Sequence, residues 1–363
     1  MSRWKPRYYD IGVNFSDSMF QGYYHGSSTR KHPCDIPAII ERAHLFNVDK
    51  MLITASTIQE SKDHFDLVAQ WPDRFKSTAG VHPCSVSSEF YKDGKLDNVD
   101  EKLNTLLEII EDGIAKDYIR AFGEIGLDYD RLHYSSKEQQ VEMFKKQLDL
   151  YGKLSKKLPL FLHMRSCCDD FINILNPYIE SGIIERGNGV VHSFTGTETD
   201  LENLLKLGFF ISINGCSLKT EENCAVAAKI PIDKLLIETD SPWCEVRKSH
   251  ASYKYTTSYP SQFYPIIESN ALLNHKQFKL GDTLPFPMIK NDHYNKYQEF
   301  IKNTEGDYDK SIGFLSPPMI KSRNEPVNVG MIAEILCRIH NITEPKDVEN
   351  FIDTIYNNSC KLF

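Results

Sequence analysis

Eight short apolar runs, most of them β-branched or aromatic, punctuate the chain. They are Tyr8–Val13, Met51–Ala55, Ser77–Val81, Ile119–Ile125, Leu158–Leu162, Gly189–Val191, Phe209–Ile213 and Leu235–Thr239. Each is long enough for a parallel strand buried on both faces, which reads as continuous apolar sequence. Segments of helical period lie between most of them. Ile36–Phe46 and Glu138–Lys153 space their apolar residues three and four apart, and Leu201–Leu207 does the same before a stop at Gly208. Eight strands alternating with helices predict an α/β fold, a (β/α)8 TIM-like barrel, rather than a doubly wound sheet. Helical period returns at Val329–Ile339 and Val348–Leu362, segments expected to close the barrel, so that residues 1–363 form one domain.

The polar residues that end the runs give the barrel its interest. In order they are Asn14, Ser56, His82, Glu124, His163, His192, Asn214 and Asp240. The C-terminal ends of the strands form the active-site face of such a barrel. One ionisable residue there is noise, but five converging on one rim make a site.

After the eighth run the pattern breaks. From about Arg247 to Lys321 the chain is rich in Tyr, Pro, Lys and Asn with little apolar periodicity, and this segment, 247–321, reads as a structureless insertion.

Composition narrows the function. The 363 residues are 41% hydrophobic and 25% charged, enough for a large core, and the net charge of −8 excludes a general polyanion binder. Any contact with nucleic acid therefore needs a local patch. Nine scattered cysteines without a CxxC pair suggest neither a disulfide framework nor a cysteine zinc site, and Cys167 and Cys168 read as small helix residues. No secretion signal or membrane span is expected, which favours a reducing compartment, the cytoplasm or nucleus. The final residues Cys360–Phe363 fit a prenylation box only formally, since Lys361 is not aliphatic; a terminal helix docking Leu362 and Phe363 is expected instead.

The chemistry starts at AFGEIGLDYD, residues 121–130, where a strand presents Glu124 and the chain is expected to turn through Gly126 towards Asp128 and Asp130. His163 closes LFLHMR and His192 closes GVVHSF, while Asp240 ends LLIETDSP, sharing a strand face with Glu238 by period two. Glu124, His163, His192 and Asp240 form a mixed nitrogen and oxygen set suited to one or two divalent cations with open positions. Glu124 is best placed to bridge two ions, and Asp240 to hold one and orient or deprotonate a water. His82, in AGVHP, is a candidate contact to phosphate or substrate. Arg165 is suited either to clamp a phosphate or to pair with Asp169 or Asp170. There is no P-loop, GxGxxG, HExxH or GxSxG, which removes those routes to hydrolysis.

With these residues in place the sequence resembles the TatD family of metal-dependent deoxyribonucleases, in the amidohydrolase-like barrel group, and looks like a eukaryotic, fungal-like member with a long insertion. The matching pieces run in order: YYDIGVN, TAGVHP, GEIGLDYD, LFLHMR, VVHSFTGT, LLIETDSP, SRNEP and NSCKLF. The resemblance implies hydrolysis of DNA phosphodiesters by metal-activated water, as a 3'-5' exonuclease with endonuclease action as a further option. It implies Glu124, His163, His192 and Asp240 as metal ligands, and His82, Arg165 and Asn14 as substrate contacts. DNA is the implied partner, with no membrane and no protein partner. Many relatives carry His-x-His on the first strand where this chain reads Gly12-Val13-Asn14. A metal there would rest on oxygen donors, which favours Mg2+ over Zn2+, with Mn2+ also possible. Two other readings stay open: a hydrolase of small amides or esters on the same barrel, and a binding protein that lost full metallation through Asn14. Within the insertion, Tyr253, Tyr255, Tyr259 and Tyr264 beside Lys248 and Lys254 are candidates to stack bases and meet phosphates, against a plain surface insertion.

Overall fold

The computed structural model describes residues 4–257, 283, 284, 286–303 and 317–363. Eight parallel strands follow one another around a nearly closed barrel: β1 Tyr8–Val13, β2 Val48–Ile53, β3 Phe75–Ala79, β4 Ile119–Asp128, β5 Leu160–Arg165, β6 Gly189–His192, β7 Phe210–Ile213 and β8 Leu235–Ile237. The seam between β8 and β1 is held by a single parallel bridge, Val13 to Ser241. Helices alternate with the strands: α1 Ile36–Leu45, α2 Ile58–Gln70, α3 Val99–Ala115, α4 Lys137–Gly152, α5 Cys168–Glu180, α6 Glu198–Lys206 and α7 Glu221–Ala227. No helix among the described residues is long and apolar enough to cross a membrane.

The core has two layers. Residues such as Val13, Ile53, Phe122, Leu162 and Ile211 face outward and bury the apolar stripes of the helices. Tyr9, Ile11, Leu52, Ala121, Phe161, Val190, Phe210 and Leu236 fill the interior with Tyr356. The helix Pro345–Leu362 lies across the N-terminal end of the barrel, where Asn358 donates to the carbonyls of Ile232 and Leu235. Its end docks Leu362 and Phe363 on that interior layer, with the Phe363 ring edge-on to Tyr9 at 6.2 Å.

Two expectations change. β4 does not turn at Gly126 but runs on to Asp128, because Gly126 and Asp128 stay paired with His163 and Arg165 of β5. The insertion is also not structureless. Met288–Ile289 and Met319–Ile320 pair as two short parallel strands, and α8, Tyr294–Asn303, is an amphipathic helix whose Tyr297 is buried. Its apolar residues recur at 294, 297 and 301, a helical spacing masked in the sequence by the surrounding Lys and Asn. This unit packs on Met19 and Tyr24 of the loop after β1, with the Tyr294 ring against His32 at 5.4 Å. Tyr259 and Tyr264 lie outside the described residues. Tyr255 packs on the core and Lys254 pairs with Glu221 rather than standing free.

A buried ion network ties this region to the barrel. Arg42 of α1 holds both oxygens of Glu325 at 2.9 and 3.0 Å. Arg323 grips Asp35 at 2.8 and 2.6 Å and also reaches Glu325 at 3.0 Å. The SRNEP stretch is thus a clamp: its Asn324 side chain donates to the Thr239 carbonyl, and its backbone N–H to that of Pro242. It props the loop that carries Asp240. The helix Val329–Ile339, with all but two of its residues buried, follows directly and packs outside the barrel beside β1.

Candidate metal centre

Two glycines of β4 set the site. Gly123 and Gly126 take φ of +154° and +144°, where a side chain is strained. A Cβ at Gly123 would stand 2.2 Å from the Phe161 carbonyl oxygen, and one at Gly126 2.0 Å from that of His163. β4 and β5 thus approach closer than side chains allow, which brings Glu124 against His163.

Three imidazoles converge on one oxygen. Glu124 Oε1 lies 2.6 Å from His192 Nε2, 2.8 Å from His163 Nδ1 and 3.1 Å from His82 Nε2. The ring nitrogens also crowd one another, at 3.2 Å between His163 and His192 and 3.3 Å between His82 and His163. Burial pushes Glu124 up, but His192 and His82 outweigh it and hold the carboxyl well below its usual range. Burial likewise lowers His192, yet Glu124 and Glu238 raise it well above the ordinary histidine value.

Asp128, which ends β4, completes this side. Its Oδ2 lies 3.0 Å from His163 Nε2 and 3.4 Å from Arg165 Nη1. Arg165 therefore pairs with neither Asp169 nor Asp170, and Asp170 is taken by Lys137 and Tyr129. The neighbouring thiols of Cys167 and Cys168 are buried at the start of α5.

Asp240 stands at the barrel seam. Asn14 Nδ2 donates to Asp240 Oδ1 at 2.9 Å and to the Ser241 carbonyl at 3.1 Å, while its Oδ1 accepts from Thr54 at 2.6 Å. The Asn14 amide thus stitches β1, the end of β2 and the end of β8 together and orients Asp240. Burial pushes the Asp240 carboxyl up to about 6, with His192 pulling the other way.

Below it Glu238 is fully buried, accepting from Ser212 at 2.9 Å and Asn214 at 3.0 Å, with Oε1 3.4 Å from His192 Nδ1. A Cβ at Gly12 would come 3.1 Å from Glu238 Oε2 and 3.3 Å from its Cβ. Glu238 therefore takes the room that a larger residue at position 12 would need.

The structure brings Glu124, His163 and His192 together as expected and adds His82 to them, whereas sequence reasoning gave His82 to the substrate. Asp240 and Asn14 form a pair beside this group, and Arg165 sits at its edge on Asp128. Sequence reasoning missed three supports. Gln147 of α4 binds both the N–H and carbonyl of Val81 at 2.9 and 3.0 Å, next to His82. Gln140, two turns earlier on the same face, does so for Asp128 at 2.7 and 3.0 Å. Asp10 accepts from the Thr239 N–H at 2.9 Å and its hydroxyl at 2.6 Å, fixing the residue before Asp240. The seven-residue spacing of Gln140 and Gln147 on an otherwise apolar helix face was the available signal.

Donor chemistry decides whether a cation fits. Among the described residues, His82, Glu124 and His163 form a group whose ligand atoms all lie within 4.8 Å of one another. Around a tetrahedral divalent ion with bonds near 2.1 Å, ligand atoms stand about 3.4 Å apart. The contacts of 2.6 to 3.3 Å among these nitrogens and Glu124 Oε1 are a slightly contracted version of that set. His192 Nδ1, buried and without a hydrogen-bond partner in the described residues, faces Glu238, the carboxylate–imidazole arrangement that orients a ligand. The residues fit a divalent metal.

Comparison with known proteins agrees. The sequence profile of the family described as TatD related DNase matches residues 13–274. Deoxyribonuclease Tat-D of Saccharomyces cerevisiae is 37% identical over 419 residues, covering 98% of this chain and 91% of that protein. The 3'-5' ssDNA/RNA exonuclease TatD of Erwinia tasmaniensis is 35% identical over 268 residues, covering 73% of this chain and 91% of that protein. The crystal structure of an uncharacterized amidohydrolase from Saccharomyces cerevisiae superposes with a TM-score of 0.79 at 33% identity, covering 99% of this chain and 100% of the other. On its fold, its site and its sequence, this chain belongs to the TatD-related DNase family.

Proposed function

We propose that the protein is a metal-dependent deoxyribonuclease that hydrolyses phosphodiester bonds of DNA as a 3'-5' exonuclease. The observation that carries this is the convergence of His82, His163 and His192 on Glu124 Oε1 at the open end of the barrel. His82, Glu124, His163 and His192 would hold one ion, and Asp240 a second. A bound divalent cation supplies Lewis-acid stabilisation of the charge that builds on the phosphoryl oxygens. With Asn14 in place of an imidazole, the Asp240 carboxylate would be the hard donor to a second ion and favours Mg2+ there, with the Cys244 thiol 3.3 Å from its Oδ2; the imidazole-rich set also accepts Mn2+ or Zn2+.

The residues divide the remaining work. Asn14 fixes Asp240 Oδ1, and Oδ2, which also accepts a weak bond from the Cys244 thiol at 3.3 Å, is the oxygen that takes the proton of the attacking water. Arg165, anchored on Asp128 and with its side chain 27% exposed, meets the incoming phosphate. Asp10, through Thr239, and Asn324 hold the Asp240 loop in register so that this geometry costs no reorganisation.

The test is cleavage of end-labelled single-stranded and duplex DNA with EDTA, Mg2+, Mn2+ and Zn2+ in parallel, for wild type and Asp240→Asn. The expected result is a metal-dependent ladder shortening from the 3' end, lost in the folded mutant. Undiminished cleavage by folded Asp240→Asn would sink the assignment of Asp240. Turnover of small amides or esters without any DNA cleavage would move the protein to the small-molecule hydrolases.

A further inference from the structure

Large apolar side chains at a surface carry information when they gather in one place. Five described ones stay exposed: Leu45, Leu96, Leu132, Tyr134 and Trp243. Leu45 ends α1. The other four lie in loops that leave barrel strands at their C-terminal ends, Leu96 after β3, Leu132 and Tyr134 after β4, and Trp243 after β8. That is the rim on which Glu124 and Asp240 stand.

Trp243 is the one tied to the site. Its backbone N–H donates to the Asp240 carbonyl at 2.9 Å, closing a turn that keeps the two Cα atoms within about 7 Å. The turn is pinned on both sides. The Ser241 carbonyl accepts from the Asn14 N–H, and the Pro242 carbonyl from the Asn324 N–H, each at 2.9 Å. Yet the residue is 53% exposed, and its indole N–H has no partner among the described residues. The other two tryptophans are used structurally: Trp4 donates to Asp353, and Trp71 packs edge-on against Phe75 at 5.5 Å. A large ring held in place and left uncovered beside a reactive carboxylate is shaped for a flat, exchangeable partner.

We propose that Trp243 is a stacking platform for the unpaired base next to the phosphodiester being cut. This rests on the nuclease reading above. Every base has a π face, so stacking grips a strand without reading its sequence, whereas a base inside a duplex is already stacked and cannot be offered. Arg165 at the end of β5 and the exposed Arg247, in the Trp243 loop, place positive charge on the same rim for the flanking phosphates. The chain as a whole, at −8, offers no general attraction, so the grip on a strand has to be local.

The experiment uses the full chain and a fluorescein-labelled deoxyribo-oligonucleotide, with a second oligonucleotide whose last two 3' nucleotides are abasic. Binding is read by anisotropy in EDTA, and cleavage with Mg2+ or Mn2+ added, for wild type, Trp243→Ala and Trp243→Phe. Trp243→Ala is expected to weaken binding of the normal strand roughly 10-fold, with the change in cleavage falling on KM, while Trp243→Phe keeps most of the affinity. On the abasic strand wild type and Trp243→Ala should bind alike. Trp243→Ala binding the normal strand as wild type does, or weakened equally on both strands, overturns the stacking role and leaves the nuclease reading standing. Wild type that neither binds nor cleaves any oligonucleotide removes both.

Discussion

At the N-terminal end of the barrel Tyr9, Leu52, Phe161, Val190 and Leu236 pack against Tyr356, Leu362 and Phe363, and charged side chains come in at Tyr356, where Arg7 lies over the ring and Asp49 accepts from the hydroxyl. Two or three residues further along several of the same strands, the interior holds Glu124, His163, His192 and Glu238, all nearly inaccessible to solvent. The two ends share a backbone and differ only in what projects inward. One end gains stability from burial of apolar surface. The other spends it, since buried ionisable groups are costly unless paired. Phe161 joins the two, with its ring 4.7 Å from that of His192. A barrel can therefore carry a strained polar cluster at one end because the other end is packed as an ordinary core.

Substitutions should separate the two ends. Glu124→Gln removes the negative charge on which three imidazoles converge and is expected to lower nuclease activity on the order of 10³-fold. Its melting temperature should fall too, because the fold holds Glu124 ionised against burial and loses that pairing, which thermal unfolding and initial rates would show together. Arg323→Leu leaves Asp35 with no counter-ion and Glu325 with one fewer, so a loss of about 3–5 kcal/mol in denaturant unfolding is expected. Leu236→Ala, in the fully buried interior layer, should cost about 2–5 kcal/mol while activity per folded molecule stays near wild type. Unfolding that spared Leu236→Ala but not Glu124→Gln would reverse the comparison.

The smallest effect is one of pH. Burial raises the Asp10 carboxyl to about 8, against hydrogen bonds from Thr239 and Gly12 that lower it. The native state then binds this proton more tightly than the unfolded chain, so stability from this group is complete below about pH 4 and lost as pH rises towards about 8. Asn can accept from the same N–H groups and donate to the Thr239 hydroxyl. Asp10→Asn should therefore gain stability relative to wild type across that window, by more than about 1 kcal/mol at its upper end. Equal pH profiles for the two proteins would show that Asp10 stays ionised in the fold.

Much of this molecule can be read from its sequence, and what cannot shares one physical cause. The strands announce themselves because both faces are buried, and Glu124, His163 and His192 because a polar residue ends each run. Asp10, Gln140, Gln147 and Arg42 gave no such sign. Each is a polar residue in a buried position, satisfied by a partner that periodicity does not reveal. His82 was visible but its approach to Glu124 was not, because that depends on how β3 and β4 close up around Gly80 and Gly123; a Cβ at Gly80 would stand 2.8 Å from the Gly123 carbonyl carbon. The helix Tyr294–Asn303 was hidden by a composition that resembles a loop.

The clamp between Asp35 and Arg323 spans 288 residues of chain. A contact of such sequence separation closes late in folding, because most of the chain has to be in place before it rewards the entropy lost. Until Arg323 arrives, Asp35 has no buried cation to meet, although the loop after β1 already packs Phe15 and Phe20 on the barrel. During synthesis the buried Asp35 carboxylate must therefore wait for a segment made after all eight barrel strands. A protein built this way reaches its native state only after translation, and its early half is the part a chaperone would have to shield.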